Sequence, residues 1–130
     1  MVQPPAIAID LASPEAVVRQ LARQIRQFIV EGHLSPGDEL PGVRRLAMDL
    51  GIHFNTAAEA YRQLASDGWI EVNHGRAARV RKREHVPAAE ETVQRGSERL
   101  RALIADTRAE GVPVRRIRRD LKLALEDLER

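Results

Sequence analysis

Residues 43–66 read Val43-Arg44-Arg45-Leu46-Ala47-Met48-Asp49-Leu50-Gly51-Ile52-His53-Phe54-Asn55-Thr56-Ala57-Ala58-Glu59-Ala60-Tyr61-Arg62-Gln63-Leu64-Ala65-Ser66. Val43, Leu46, Ala47 and Leu50 recur at helical spacing, and Gly51 stops that helix. Ile52-His53-Phe54 is a short link. Asn55 or Thr56 is the expected N-cap of a second helix running to about Ser66, with Ala57, Ala60, Tyr61 and Leu64 on its inner face. Gly68 breaks it. Two helices joined by so short a link predict a helix-turn-helix.

Upstream, residues 1–12 read as extended chain, with Ala6-Ile7-Ala8-Ile9-Asp10 alternating weakly. Ser13-Pro14-Glu15 reads as a helix start: a Ser N-cap, Pro in the first turn and an acid at the positive dipole end. Val17, Val18, Leu21, Ile25, Phe28 and Ile29 carry that helix to Glu31, where Gly32 ends it. Pro36-Gly37-Asp38 is a turn. Downstream, Trp69–Val72 and Ala78–Arg81 predict strands around the turn Asn73-His74-Gly75. A hairpin behind a helix-turn-helix makes the winged form. The fold class expected is mainly α with a small β-hairpin wing over residues 1–83, followed by a two-helix tail over residues 84–130.

In that tail, Glu90 to about Glu110 reads as a long helix with Val93, Leu100, Leu103 and Ile104 on one face, weakened locally by Gly96. After the break Gly111-Val112-Pro113, a last helix runs from Val114 to Arg130. Its Val114, Ile117, Leu121, Ala124 and Leu128 follow spacings of 3, 4, 3 and 4, a short heptad-like seam that Leu123 and Leu125 widen.

Composition narrows the function. The 130 residues include 43% apolar and 31% charged, which suits a folded soluble protein. There are 0 Cys, so disulfides, thiolate metal sites and Cys nucleophiles are excluded. His33, His53, His74 and His85 match no zinc spacing, and no metal or cofactor is expected. Nucleophile-elbow, phosphate-loop, dinucleotide and zinc-hydrolase motifs are absent, so no catalytic residue is nominated. No stretch approaches the ~18 apolar residues of a membrane span, and Met1–Pro5 starts no signal peptide. A cytoplasmic protein without membrane contact is expected.

The net charge is only +2, but it is unevenly spread. Residues 41–83 hold 8 basic and 4 acidic side chains, and no acid lies between Val72 and Glu84. Arg76, Arg79, Arg81, Lys82 and Arg83 form a basic stripe there, suited to a polyanion or, more plainly, to a solvated strand end. Aromatic residues make up 3%, which argues against single-strand binding by base stacking; Trp69 reads as core.

The run Gly32-His33-Leu34-Ser35-Pro36-Gly37-Asp38-Glu39-Leu40-Pro41 is similar to the opening signature of the GntR family of bacterial transcription regulators. Arg44-Arg45-Leu46-Ala47, Leu50-Gly51, Asn55-Thr56, Ala60-Tyr61, Leu64, Asp67-Gly68-Trp69-Ile70, His74-Gly75-Arg76 and Val80 continue it across roughly residues 13–83. The short two-helix tail resembles the YtrA subfamily. Several positions depart from the family pattern: Gly42 where Ser is usual, His53-Phe54 in the link, Ala57-Ala58 in the second helix, and Gly75-Arg76-Ala77-Ala78-Arg79-Val80 in the wing.

The resemblance implies a homodimeric repressor on a two-fold, palindromic double-stranded DNA operator. Arg44 aligns with a phosphate-contacting Arg, or is a surface ion pair; Arg45 sits beside it. His53, Asn55 and Thr56 begin the reading helix, where Asn pairs with adenine and Thr packs on a thymine methyl, or one of them only caps. Phe54 is read as packing, with a thymine methyl as the other option. Glu59 accepts from cytosine or excludes wrong sites. Tyr61 is expected to point its ring at the core and its hydroxyl at a phosphate, and Arg62 to meet a base or a phosphate. His74 and Gly75 form the wing tip, and Arg76 enters or flanks the minor groove.

Leu100, Leu103, Ile104, Val114, Ile117, Leu121, Leu125 and Leu128 are the expected dimerisation residues, against a monomeric helical hairpin as the alternative. Arg115, Arg116, Arg118 and Arg119 then form a solvated face. A small-molecule effector is left open, with no residue set marking a cleft for it. The reading from a different class is a winged protein-interaction module that has lost operator recognition, suggested by Ala57-Ala58 and Ala77-Ala78.

Overall fold

Residues 6–129 are described by a computed structural model; the readings of Met1–Pro5 and of Arg130 lie outside them. The described chain falls into two units divided after Arg83. The first holds helices α1 (Val17–Val30), α2 (Val43–Leu50) and α3 (Phe54–Ser66) and strands β1 (Ile70–Glu71) and β2 (Arg79–Val80). The second holds α4 (Glu90–Ala109) and α5 (Val114–Leu128).

Helix α1 starts at Val17 rather than at Pro14, and Ser13 does not cap it. The Ser13 hydroxyl accepts from the Glu15 amide at 3.1 Å, closing a local turn ahead of the helix. Two glutamines of α1 instead bind the extended segment before it. Gln20, 2% exposed, donates through Nε2 to the carbonyls of Asp10 (2.9 Å) and Glu15 (2.8 Å) and accepts at Oε1 from the Asp10 amide (2.8 Å). One turn on, Gln24 accepts from the Ala8 amide (2.9 Å) and donates to the Ala8 carbonyl (2.6 Å). The two amides stand in for a neighbouring strand. Four helical residues advance ~6 Å and two extended residues ~6.6 Å, so the two repeats stay in step. Ile7 and Ile9, which alternate with these bonded residues, pack against the core.

The expected inner face of α3 is buried throughout: Ala57, Ala60, Tyr61 and Leu64. The small side chains of Ala57 and Ala60 let α3 approach α1 and α2, which supply Leu21, Ile25, Phe28, Leu46 and Ala47. In α2, Val43 and Leu50 are half-buried. Gly51 ends α2 in the left-handed region at φ 67°, a conformation that L side chains rarely adopt. The Tyr61 hydroxyl, far from open water, donates to the Pro41 carbonyl at 2.6 Å and ties α3 to the chain entering α2.

The wing is shorter than its sequence suggests. Only Ile70–Glu71 and Arg79–Val80 pair, antiparallel, with Ile70 opposite Val80 and Glu71 opposite Arg79. The far edge of β2 is covered from the segment read as a turn. Glu39 bridges to Arg79, Leu40 donates to the Ala78 carbonyl (2.8 Å), and Val80 donates to the Asp38 carbonyl (2.9 Å).

In the second unit α4 runs unbroken through Gly96, turns at Gly111 (φ 99°) and packs on α5. Helix α4 buries no residue and α5 only Ile117. Among the described residues no helix is long and apolar enough to cross a membrane.

Burial pushes the Tyr61 hydroxyl well above the ordinary tyrosine value of about 10. The folded state therefore holds the neutral phenol, and this contribution to stability is complete below about pH 10 and lost as pH rises above it. The chain has one Tyr, so tyrosinate absorbance reports this group alone. We expect that absorbance to appear together with loss of helical circular dichroism on alkaline titration. A tyrosinate signal near pH 10 in a still-helical protein would contradict the buried, hydrogen-bonded phenol.

Candidate nucleic-acid interface

The N-terminal tip of α3 is organised by His53. It is the N-cap, with its Nδ1 accepting from the Asn55 amide at 3.1 Å. This corrects the expectation of Asn55 or Thr56 in that role. Both lie inside the first turn, and neither side chain has an intramolecular partner among the described residues. Asn55 is exposed and Thr56 half-buried. Their hydrogen-bonding groups are thus free for an outside ligand.

Phe54 is the first residue of α3, so the link is one residue shorter than read. It is 42% exposed and is no core packing residue. The Arg44 guanidinium lies over its ring, 5.2 Å from the centroid. Arg44 has no carboxylate partner among the described residues, whereas Arg45 faces Asp49 at 3.6 Å with both side chains exposed. The alternative reading as a surface ion pair therefore describes Arg45. Further along α3, Arg62 donates twice to Glu59, at 2.7 and 2.9 Å. Exposed pairs of this kind are worth about 0–1 kcal/mol, so a phosphate or base edge can displace them.

Tyr61 needs correction as a DNA contact. At 3% exposure, with its hydroxyl given to Pro41, it has nothing left to offer a phosphate.

The basic stripe of the wing divides into two groups. Arg79 is held by Glu39 (2.6 Å) and the Gly37 carbonyl (3.0 Å), and Arg81 faces Glu71 at 3.8 Å. Arg83 stacks on the half-buried Trp69, 3.7 Å from the ring centroid, and donates to the Asp67 carbonyl. Among the described residues Arg76 and Lys82 have no such partner. Arg76 follows the exposed tip His74-Gly75, where Gly75 sits at φ 73°. Sequence reasoning did not single out Lys82 within the stripe. The signal that separates it from its neighbours is three-dimensional: the acids that neutralise Arg79 and Arg81 come from the two strands or segments flanking β2.

In the second unit the expected apolar residues fall into two groups. Ile117 is buried in the hairpin, and Ile104 and Leu121 are half-buried. Leu100, Leu103, Val114, Leu125 and Leu128 are exposed, Leu103 to 61%. Ile104, Val114, Ile117, Leu121 and Leu125 line an open groove of about 440 Å³ rimmed by Arg118 and Lys122. The first unit has an apolar cavity of about 350 Å³ between Ile7, Ile25, Phe28, Leu40, Leu46 and Tyr61. Asp49, at its wall, is the carboxylate that faces Arg45.

Residues 17–80 match the family described as bacterial regulatory proteins, gntR family. The chain is similar to the HTH-type transcriptional repressor YtrA of Bacillus subtilis (strain 168), 30% identical over 116 residues and covering 89% of each chain. It is 38% identical over 69 residues to the HTH-type pyridoxine biosynthesis transcriptional regulator PdxR of Corynebacterium glutamicum, a match that takes in 53% of this chain and 15% of that one. Among solved structures, YtrA from Sulfolobus acidocaldarius, a GntR-family transcription factor, has 34% identity and a TM-score of 0.57, covering 79% of this chain and 97% of that chain.

The cap assignment has a measurable consequence. His53→Ala should lower stability by about 0.5–2 kcal/mol in urea denaturation, and His53→Asp should restore it. Asn55→Ala and Thr56→Ala should each stay within about 0.5 kcal/mol of the parent, since neither side chain serves the fold.

Proposed function

Because the chain belongs to the gntR family of bacterial regulatory proteins, as a transcriptional regulator with a DNA-binding domain, we propose that it works as a homodimeric repressor on a palindromic operator. The observation that carries this reading is the tip of α3. Asn55 and Thr56 are released from capping by His53 and stand exposed and half-buried, next in sequence to Phe54, over whose ring Arg44 lies. The major groove admits a helix and shows each base pair a distinct pattern of donors, acceptors and methyl groups. In this reading α3 lies in that groove, with Asn55 and Thr56 at base edges and Arg62 exchanging Glu59 for a base or phosphate. Arg44 and Lys82 take phosphates, while Arg76 enters the minor groove from the wing tip. The Bacillus subtilis relative is named a repressor, which supports that sign of regulation.

A second copy of the chain is the occupant we assign to the exposed face of the α4–α5 hairpin. Each aliphatic side chain fully buried there contributes about 1.5–3 kcal/mol. Charge on α5 points the same way. Arg115, Arg118 and Arg119 lie in its first half, where Arg116 pairs with Asp120 at 3.0 Å, and Glu126 lies near its end with Glu129 as the C-cap. That order opposes the helix's own dipole and weakens an isolated helix. A second α5 lying antiparallel sets the basic half of each helix against the acidic half of the other. A two-fold dimer then presents two α3 helices ~34 Å apart, the spacing of successive major grooves. The protein needs no cofactor for this role, and the cytoplasm, where the DNA is, is its place of work.

Fluorescence anisotropy with duplexes tiled across the gene's upstream region, at several salt concentrations, tests DNA reading. One tile should bind far more tightly than a scrambled control, and affinity should fall steeply with salt. Arg76→Ala and Arg44→Ala should each weaken binding and reduce the salt slope by about one. Equal binding to every tile, or none at low salt, would favour the protein-interaction module. Sedimentation equilibrium tests the assembly: the parent should be a dimer, and Leu103→Glu combined with Leu125→Glu should give a monomer whose first unit stays folded. A parent protein monomeric at micromolar concentration would remove the dimer.

A further inference from the structure

We propose that Phe54, with Arg44 stacked on it, reads the 5-methyl group of a thymine in each operator half-site. The inference rests on α3 being the reading helix. Phe54 opens that helix and leaves 42% of its surface in water, although the core lies one residue row away at Ala57 and Ala60. An aromatic residue has no propensity advantage at a helix start, and this one lies outside the buried core. Its position gives it a use on the outside. The donors and acceptors of the major groove are polar, and the apolar group displayed among them in unmodified DNA is the thymine methyl. A ring projecting from the tip of the reading helix therefore has one complementary partner there. Against cytosine the same ring would cover the N4 amino group without accepting from it, and an unsatisfied donor is a penalty on the wrong base.

Arg44 fixes the ring. Its guanidinium sits 5.2 Å from the Phe54 centroid and has no carboxylate to draw it away, unlike its neighbour Arg45 on Asp49. Stacking of this kind orients the cation and restrains the ring. One face of the ring is covered by the cation, which leaves an edge and the opposite face for the methyl. The guanidinium keeps its N–H donors for the adjacent phosphate. The pair thus couples a sequence-blind contact to a sequence-reading one. The sequence pattern hides this coupling, because Arg44 and Phe54 belong to different helices.

Deoxyuridine separates the methyl from every other feature of thymine. In the duplex tile that binds, each thymine is replaced in turn by deoxyuridine, which retains the O4 acceptor and the pairing edge. We expect one or two positions per half-site at which wild-type affinity falls about fourfold for each methyl removed. Phe54→Ala should bind the thymine and deoxyuridine duplexes equally. Phe54→Leu, which retains an apolar side chain of similar reach, should keep most of the discrimination, and both variants should keep the parental unfolding transition. Arg44→Ala should weaken binding to both duplexes and narrow the difference between them. Wild-type indifference to deoxyuridine at every position would overturn the proposal, as would discrimination that survives in Phe54→Ala, which would assign the methyl to another residue such as Thr56. If no tile binds at all, the DNA-reading function fails and this inference falls with it.

Discussion

Tyr61 gives its hydroxyl to the Pro41 carbonyl at 2.6 Å, and the reading head is assembled around that bond. Net, such a bond contributes about 0.5–1.5 kcal/mol, but leaving the buried Tyr61 hydroxyl unpaired costs about 1–3 kcal/mol. The bond therefore acts less as glue than as a gauge. It sets the distance between the middle of α3 and the start of α2, and so between Phe54 and Arg44. Ala57 and Ala60 make the gauge workable, since larger side chains there would hold α3 off its neighbours. In the proposed reading one helix has to seal a core on one side and meet DNA on the other. Small residues inside and a single anchored phenol leave its outer face free to vary.

The surface charge follows a similar economy. A chain with a net charge of +2 is a poor match for a polyanion if its charge is spread evenly. Here Arg45, Arg62, Arg79 and Arg81 each face a carboxylate, so their charge is muted at a distance. Arg44, Arg76 and Lys82 are not muted in this way. Cations without a carboxylate therefore stand at the start of α2 and around the wing, where the proposed reading puts the duplex. The muted arginines are recruitable on contact, because exposed ion pairs are weak and exchange partners at little cost.

Much of this was legible from apolar spacing and glycine. The α2–turn–α3 unit, its inner face and the break at Gly51 came directly from residues 43–66. Helix starts were less legible. Ser13, Asn55 and Thr56 all have the chemistry of a cap, and the backbone used none of them. A cap depends on where the chain leaves extended geometry, and here that happens at Ala16 and His53. His53 was overlooked as a cap because imidazole seldom takes the role. Gln20 and Gln24 were invisible for a different reason: apolar periodicity does not register a polar side chain buried to serve a backbone. Burial of the Tyr61 ring could be read from its helical face. The destination of its hydroxyl could not, since Pro41 lies on another segment.

The second unit carries the same logic to its limit. Helix α4 has no buried residue and α5 has Ile117 alone, while leucines along both helices stay in water. Most of a helix's stability in a protein comes from packing of its apolar face. Basic residues at the start of α5 weaken it further against its own dipole. A hairpin so built gains most of its order from what it pairs with. In the proposed dimer, ordering of the tail and association of two chains then become one equilibrium, governed by protein concentration. Operator affinity inherits that dependence, because two reading heads held at a fixed spacing bind far more tightly than either alone. In that proposed arrangement, the weak packing of the tail couples to occupancy of the DNA.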